Sequence, residues 1–520
     1  MNLDILSSMG GQTIEVGVLA DLNKALRANG NNLAKATVGG APGAGNLREA
    51  GFSGDFAPLV PQSIQNTLDS ASFTEKHIVF WNKLSKVPVT STLHEATVVN
   101  DYGSMALDPF IAEGGIGPNS DSTYERKVVE IKYMAEQREI SDVATMVSAI
   151  GYNGMVNRQG LAIQTMDGTR ALLGKLERSL FSADSALNSL AFDGLFKQLA
   201  SPSYDISSTA GNGLGLFSTS ATANYTDLAG AAVTVQDLIS KLYEAAAAPN
   251  FALIDTILVE PRVYSGLVNQ ATSYGRFDTN SAAGGSLVFG TDGLKIAGPA
   301  GMVDIVSCPL LLEQQAIPTN AAGSTGKPLF AAPANAIAAG KVTQIAIATV
   351  GSSKGFTATT AGTYTYKCVA VNSSGYSGVA TSAAETVSAG EVNQIELDMS
   401  STSAAPADYV KVWRKKRTES DYAYLGAWPA HTKTGYDATA AAAHTTYIID
   451  DDSRQANVAP VYFLQTTPDV LYWAQLLDFL RRPIAQTKTT VPFLMMLFGS
   501  LHVKVPTKSW TMGNAAFNAL

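Results

Sequence analysis

Charge is scarce in this chain, and cysteine is nearly missing. Only 15% of the 520 residues are Asp, Glu, Lys or Arg, and the formal net charge is −8. That balance argues against tight binding of nucleic-acid phosphate by the fold as a whole. Two cysteines, Cys308 and Cys368, cannot build a disulfide framework, so a reducing compartment is expected. The five histidines are scattered and show no metal-ligand spacing. No apolar run is long enough to span a bilayer; VPFLMMLFGSLHVKV, near the C-terminus, is short and interrupted. The opening MNLDILSSMGGQTIEVG has neither the basic start nor the long apolar stretch of a signal peptide, so a cytoplasm-like setting is expected. What the chain does have is a hydrophobic fraction of 46%, enough to build several cores and a neutral, polar surface suited to burial against neighbours.

Catalytic signatures are missing too. Residues 40–45 match the glycine spacing of a phosphate loop, but Asn46 and Leu47 stand where Lys and Ser/Thr are required. His94-Glu95 begins the zinc-protease pattern, yet Val98 takes the second histidine's place, and a strand would put the two side chains on different faces. No G-x-S-x-G is present. Among the carboxylates, Glu95, Glu113, Glu130 and Glu177 form no pair with a catalytic relation. Cys308 lies in an apolar run and is expected in the core. The basic run 413–417 could meet a polyanion but is expected to be a solvated strand edge. The acidic run 450–452 could hold calcium but is expected to be a polar strand end. No catalytic, cofactor-binding or metal residue is assigned, no cofactor is implied, and no enzyme is expected.

Periodicity supplies the organisation. Ala162, Met166, Thr169, Leu173, Leu176 and Leu180 recur at helical spacing, with Arg170, Lys175, Glu177 and Arg178 mostly opposite. A helix over 157–182 follows, marked by Gly160, Gly168 and Gly174, each costing about 1 kcal/mol relative to alanine. Such a helix has to lie along something. Residues 1–60 are rich in Gly, Ala, Asn and Ser and read as an extended arm. A helix started by Pro61 should run through Phe73, His77, Phe80 and Leu84. Residues 97–133 alternate like a long hairpin with Gly and Pro at its tip, too poor in local partners to be stable alone. Thr234 with Asp237 forms a capping box ahead of an alanine-rich helix, and Pro261 starts another. From about Ala332 to Gln455 the chain turns to Ala, Thr, Ser and Gly with short alternating strands, as in a small β-sandwich inserted into an α+β domain. Helix and strand signals return after it, with PDVLYWAQLLDFL expected as a helix.

Taken in order, these elements resemble the major capsid protein of tailed bacteriophages, the fold named after the Hong Kong ninety-seven phage. HEATVVNDYG, LERSLF, FDGL, LVEPRVYSGL and FGSLHVKVPTKSWTMGN look like stretches of large phage capsid subunits, and their order over roughly 400 residues carries the likeness. YTYKCVAVNSSGYSG is similar to a strand of an immunoglobulin or fibronectin type III domain, with Cys368 turned inward. The resemblance implies an α+β capsid fold with an all-β immunoglobulin-like insert. Its parts would be an N-terminal arm (1–60), a peripheral domain (61–190) carrying the extended loop (97–133) and spine helix (157–182), and an axial domain (191–331). The insert (332–455), a second axial part (456–490) and a C-terminal peripheral strand (491–520) would follow.

The implied function is structural: hexamers and pentamers closing into an icosahedral head around double-stranded DNA, assembled in the bacterial host cytoplasm and found in the virion capsid. Implied partners are other copies of the chain, portal, scaffold and decoration proteins, and DNA held without specific contacts; no membrane is involved. The hairpin and the arm would each reach a neighbouring subunit, and the insert would project outward. No proteolytic trimming of the arm and no subunit crosslink are expected. Two other readings compete. An encapsulin-like compartment shell shares the fold, but the insert and chain length count against it. An adhesin or tail-fibre protein would call for a secretion signal or fibrous repeats, and neither is found.

Overall fold

In a computed structural model the described residues are 73–143, 160–203, 216–217, 225–274, 294–312, 317, 342–348, 355–398, 407–430, 445–455 and 457–517, with gaps of up to four residues inside some of these stretches. The expected arm (1–60) and residues 40–47 lie outside them. The described fold is α+β and is built around two sheets and a helix.

The helix runs from Gly160 to Ser182, roughly 35 Å at 1.5 Å per residue. Its buried stripe is Leu172, Leu176, Leu180 and Phe181. Ala162 and Met166, placed on that stripe by periodicity, are exposed instead, because only the C-terminal half lies fully against the core. The glycines have a packing reason. A Cβ on Gly168 would collide with the Met495 side chain, and one on Gly174 with the ring of Phe73. Helix propensity is traded here for close approach of a strand and an aromatic ring.

A four-stranded sheet lies along this helix in the order Lys86–Pro88, Leu471–Pro483, Thr490–Val503, Lys132–Ser141. The expected helix over PDVLYWAQLLDFL is therefore a strand. Leu471 and Trp473 point into the core shared with the spine helix, while Tyr472 and Ala474 point into a second cluster on the opposite face. Burial on both faces makes the run continuously apolar, and periodicity cannot tell such a strand from a buried helix. The helix expected from Pro61 onward is also corrected within the described residues. They hold a three-residue turn, Glu75–His77, and a four-residue helix, Phe80–Lys83, separated by extended backbone.

A six-stranded sheet follows, in the order Tyr225–Asp227, Trp510–Ala516, Val458–Leu464, Thr256–Val259, Gly301–Ser307, Leu294–Gly298. Helices Val235–Ala246 and Pro261–Tyr274 pack against it around Leu238, Leu242, Ile257 and Phe463. The capping box is present, with Thr234 Oγ1 accepting from Asp237 N at 3.1 Å and Thr234 N donating to Asp237 Oδ2 at 3.0 Å.

The C-terminal course differs from the expected partition at 456–490 and 491–520. Leu471–Pro483 joins the spine-helix sheet rather than the six-stranded one, and the last strand, Trp510–Ala516, returns to the six-stranded sheet. Register pairing, invisible in local composition, decides this.

Between Gly301–Ser307 and Val458–Leu464 the chain builds a self-contained β unit. One sheet orders Val342–Ala348, Glu391–Asp398 and Thr445–Asp450; the other orders Gly362–Asn372, Tyr409–Lys416 and Ala423–Pro429. Their facing sides share a core of Tyr366, Cys368, Val410, Val412, Ile395, Ile448 and Trp428. Strands on both sides of this unit in the chain complete the same six-stranded sheet.

Candidate assembly surface

The hairpin pairs Leu93–Asp101 with Thr123–Glu130 in antiparallel register, from Leu93 opposite Glu130 to Asp101 opposite Thr123. Alternation puts Glu95 on the outer face, where it pairs with Arg126, while Asn100 Nδ2 donates to Glu125 Oε2 at 3.0 Å. Hydrogen bonds from Lys127 and then Asn100 hold the Glu125 carboxyl below the usual range. This polar ladder covers little of the ribbon. Tyr102, Phe110 and Ile116 are 86%, 87% and 97% exposed, and Ile111, Tyr124 and Val128 are open as well. A two-stranded ribbon with apolar side chains on view and open edges is marginal alone, and such a patch marks an interaction surface. A smaller apolar group, Leu477 and Leu480 on the outer half of Leu471–Pro483 and Ile484 just beyond it, lies beside Arg481 and Arg482.

The root of the hairpin is firmly held. Its two legs continue into Lys86–Pro88 and Lys132–Ser141, the opposite edges of the four-stranded sheet, so the root must cross the sheet's middle strands. Ile131 N closes it by donating to Thr92 O at 2.8 Å. Beneath it lie Val89, Ile131, Tyr472 and Ala474, with Val129 and Phe498 packed alongside. A polar chain runs through the same face: His94 Nε2 lies 2.9 Å from the Tyr472 hydroxyl, which lies 2.9 Å from His502 Nδ1. Burial, then His94, Lys504 and Lys127, push the His502 ring down to about 4. Burial raises the Tyr472 phenol.

A buried carboxylate fixes the segment that leads into the hairpin. Glu177 is fully buried, although periodicity put it on the helix's polar side. Its Oε1 accepts from Val79 N at 3.1 Å and Phe80 N at 2.7 Å, and its Oε2 from Trp81 N at 2.9 Å. These are the otherwise unsatisfied donors at the start of helix Phe80–Lys83. Burial pushes the Glu177 carboxyl up, and the three donors pull it the other way.

The remaining sequence candidates fall apart in space. His94 and Glu95 do point to different faces, and Val98 is buried. Cys308 is a core residue whose thiol is pushed up by burial and then by Glu177. Glu113 is exposed in the hairpin tip, and Glu130 pairs with Lys132 at 2.7 Å. Among the described residues no group of three or more His, Cys, Asp or Glu is placed to hold a metal ion.

The two charged runs meet: the acidic run stands at the end of strand Thr445–Asp450, as expected, but is buried, and part of the basic run is buried against it. Trp413 and Arg414 are buried, because Tyr409–Lys416 lies between two other strands rather than at an edge. Arg414 Nη1 donates to Asp450 Oδ2 at 2.9 Å, and its Nη2 lies 3.0 Å from Asp452 Oδ1. Tyr366 donates to Asp450 at 2.6 Å. Arg414 of the basic run is thus neutralised by Asp450 and Asp452 inside the β unit, while Lys415 and Lys416 are half-buried and Arg417 is exposed, as a solvated run would be. Glu177, His502 and this ion cluster were the residues missed; opposite charges 36 positions apart on two strands were the only available sign.

No family model matches the chain. It is similar to the putative major capsid protein of Enterococcus phage phiEF24C, 22% identical over 476 residues, which covers 89% of this chain and 91% of that protein. The major capsid protein of Staphylococcus phage K is 24% identical over 149 residues, 28% of this chain and 31% of that protein. Among solved structures, the capsid of cyanophage P-SCSP1u shows 11% identity and a TM-score of 0.40, covering 92% of this chain and all of that one. The holo-SrpI encapsulin complex of Synechococcus elongatus PCC 7942 shows 8% identity and a TM-score of 0.39, covering 89% of this chain and 95% of that one.

Proposed function

We propose that this chain is the structural subunit of a tailed-phage capsid, assembling with copies of itself into a closed shell around double-stranded DNA. The observation that carries the proposal is the hairpin. Its root is buried and hydrogen-bonded, while its outer half presents Tyr102, Phe110 and Ile116 exposed among the described residues. A neighbouring subunit would bury that face, and apolar burial of this kind stabilises interfaces in proportion to area. The likeness to a capsid protein over 89% of the chain supports the same reading.

In this assignment the spine helix, the four-stranded sheet and the hairpin form the peripheral domain, and the six-stranded sheet forms the axial domain. Residues 332–455 form an immunoglobulin-like insert projecting outward, and 1–60 an arm that reaches a neighbour. Hexamers and pentamers are the capsomers, and portal, scaffold and decoration proteins are the accessory partners. The shell is assembled in the bacterial host cytoplasm and contacts its DNA without sequence preference, in keeping with a net charge of −8.

Negative-stain microscopy of the purified chain, with and without lysate of its source, tests the proposal. Closed shells, tubes or hexamer sheets are expected, with DNA rather than protein cargo inside particles from infected cells. A monodisperse monomer or dimer under both conditions would overturn it.

A further inference from the structure

We infer that the hairpin root is a proton-operated latch, in which the His94–Tyr472–His502 chain holds the hairpin against the sheet at neutral pH and lets it swing free on acidification. The inference rests on the capsid reading only for its consequence, control of the surface that meets the neighbouring subunit.

The geometry restricts the protons. Tyr472 has one hydroxyl proton between two imidazole nitrogens at 2.9 Å each. With both rings neutral, the hydroxyl donates to one nitrogen and accepts an N–H from the other, so both of its hydrogen bonds form. With both rings protonated, each ring can only donate. The hydroxyl must then accept twice, and its own proton has no acceptor in the chain. The two cations would face each other with ring centroids 6.1 Å apart.

The neighbours sharpen the effect. Lys127, from the second hairpin strand, and Lys504, just beyond the strand carrying His502, both disfavour a further positive charge there. Glu125, the carboxylate beside Lys127, is engaged by Lys127 and Asn100. On the sheet side the remaining titratable group is Tyr472, held neutral by burial. Across the root His94 pairs with Val129, and Ile131 packs beneath it, so among the described residues the side-chain hydrogen bonds tying the hairpin strand to the sheet here are those of the His94–Tyr472–His502 chain.

The latch is placed where it matters mechanically. Both legs of the hairpin leave from sheet edges, and the polar chain crosses the middle strands between them. Opening it frees the ribbon's direction without breaking the ladder from Leu93–Glu130 to Asp101–Thr123.

Hydrogen exchange of the isolated full-length subunit tests this, with rates normalised for the intrinsic pH dependence of amide exchange. Between pH 7.5 and pH 3.5, a range that spans the lowered titration of His502, amides of 89–95 and 127–134 should open on the order of tenfold more, while spine-helix amides should change far less. In His94→Gln/His502→Gln the pH dependence at the root should collapse, because neutral amides cannot titrate. Tyr472→Phe should leave the root open at both pH values. A wild-type root whose normalised exchange is independent of pH overturns the latch, as does an undiminished pH dependence in the double glutamine variant. If that variant does not fold, His94→Gln alone, at the less buried ring, must at least halve the response for the latch to stand. The assay needs no shell: unassembled subunits with a titrating root would sink the capsid reading alone, and shells built from subunits with a pH-independent root would sink the latch alone.

Discussion

The hairpin and the β unit of residues 342–452 are both made of short alternating strands, yet they solve opposite problems. The β unit closes two sheets over each other and buries Tyr366, Val412 and Trp428 almost completely. It even neutralises its own charges, with Arg414 held between Asp450 and Asp452. The hairpin has one layer, so each side chain that points away from the sheet is left to solvent. The number of layers, rather than the residue types, separates a unit with a core of its own from a ribbon that leaves its apolar side chains exposed among the described residues.

That contrast can be broken most severely by removing the part that lacks a second layer. Deletion of 108–122 should abolish closed shells altogether while leaving a folded subunit whose melting temperature is nearly unchanged; electron microscopy and calorimetry read the two effects. Normal particles from this variant would mean that the exposed face is not used. Excision of 333–455 with a short linker should have the reverse profile, shells retained and only the surface features lost, as seen by cryo-electron microscopy.

Within the β unit the expected effects are thermodynamic. Arg414→Ala leaves two buried carboxylates without their cation and should cost about 3–5 kcal/mol. Chemical denaturation should show that loss in the β unit's transition alone. An equal loss in the spine helix would mean that the two regions are not independent. In the body, Glu177→Ala strips three backbone donors at the start of helix Phe80–Lys83 and should cost roughly 2–4 kcal/mol, since each buried donor left unpaired costs about 1–3 kcal/mol before relaxation. Its mark would be faster exchange at Val79, Phe80 and Trp81.

The smallest effect is the pH dependence. His502 is held neutral in the folded chain, down to about 4, whereas the unfolded chain takes up its proton near 6.5. Stability from this group is therefore complete above pH 6.5 and drains away as pH falls toward 4. The loss should be about 1–2 kcal/mol after allowance for solvent screening. His502→Gln should flatten that limb of the stability curve, and an unchanged limb would point to other groups.

Much of the fold was legible. The spine helix, the Thr234–Asp237 capping box and the strands around Cys368 lie where spacing put them, because each is a local pattern with a local cause, while the hairpin pairs over Leu93–Glu130 rather than 97–133 and Tyr133 belongs to the four-stranded sheet. The failures share a different cause. Glu177 has helical spacing on the polar side, but its partners lie 96 to 98 residues away in the chain. Leu471–Ala474 was mistaken for helix because both its faces are buried, by two different clusters. Arg414 looked like a solvated charge because its strand's neighbours could not be seen.

Periodicity, turn residues and capping chemistry act over a few residues, so the sequence by itself determined the elements and their order along the chain. It also led to the expectation that the hairpin is marginal on its own, because a lone ribbon of that composition lacks a second layer. Only the tertiary structure decided which sheet each C-terminal strand entered, which carboxylate was buried, and that two histidines meet across one tyrosine at the hairpin root. Those outcomes depend on register between strands hundreds of residues apart, and register is settled by the packing of whole faces.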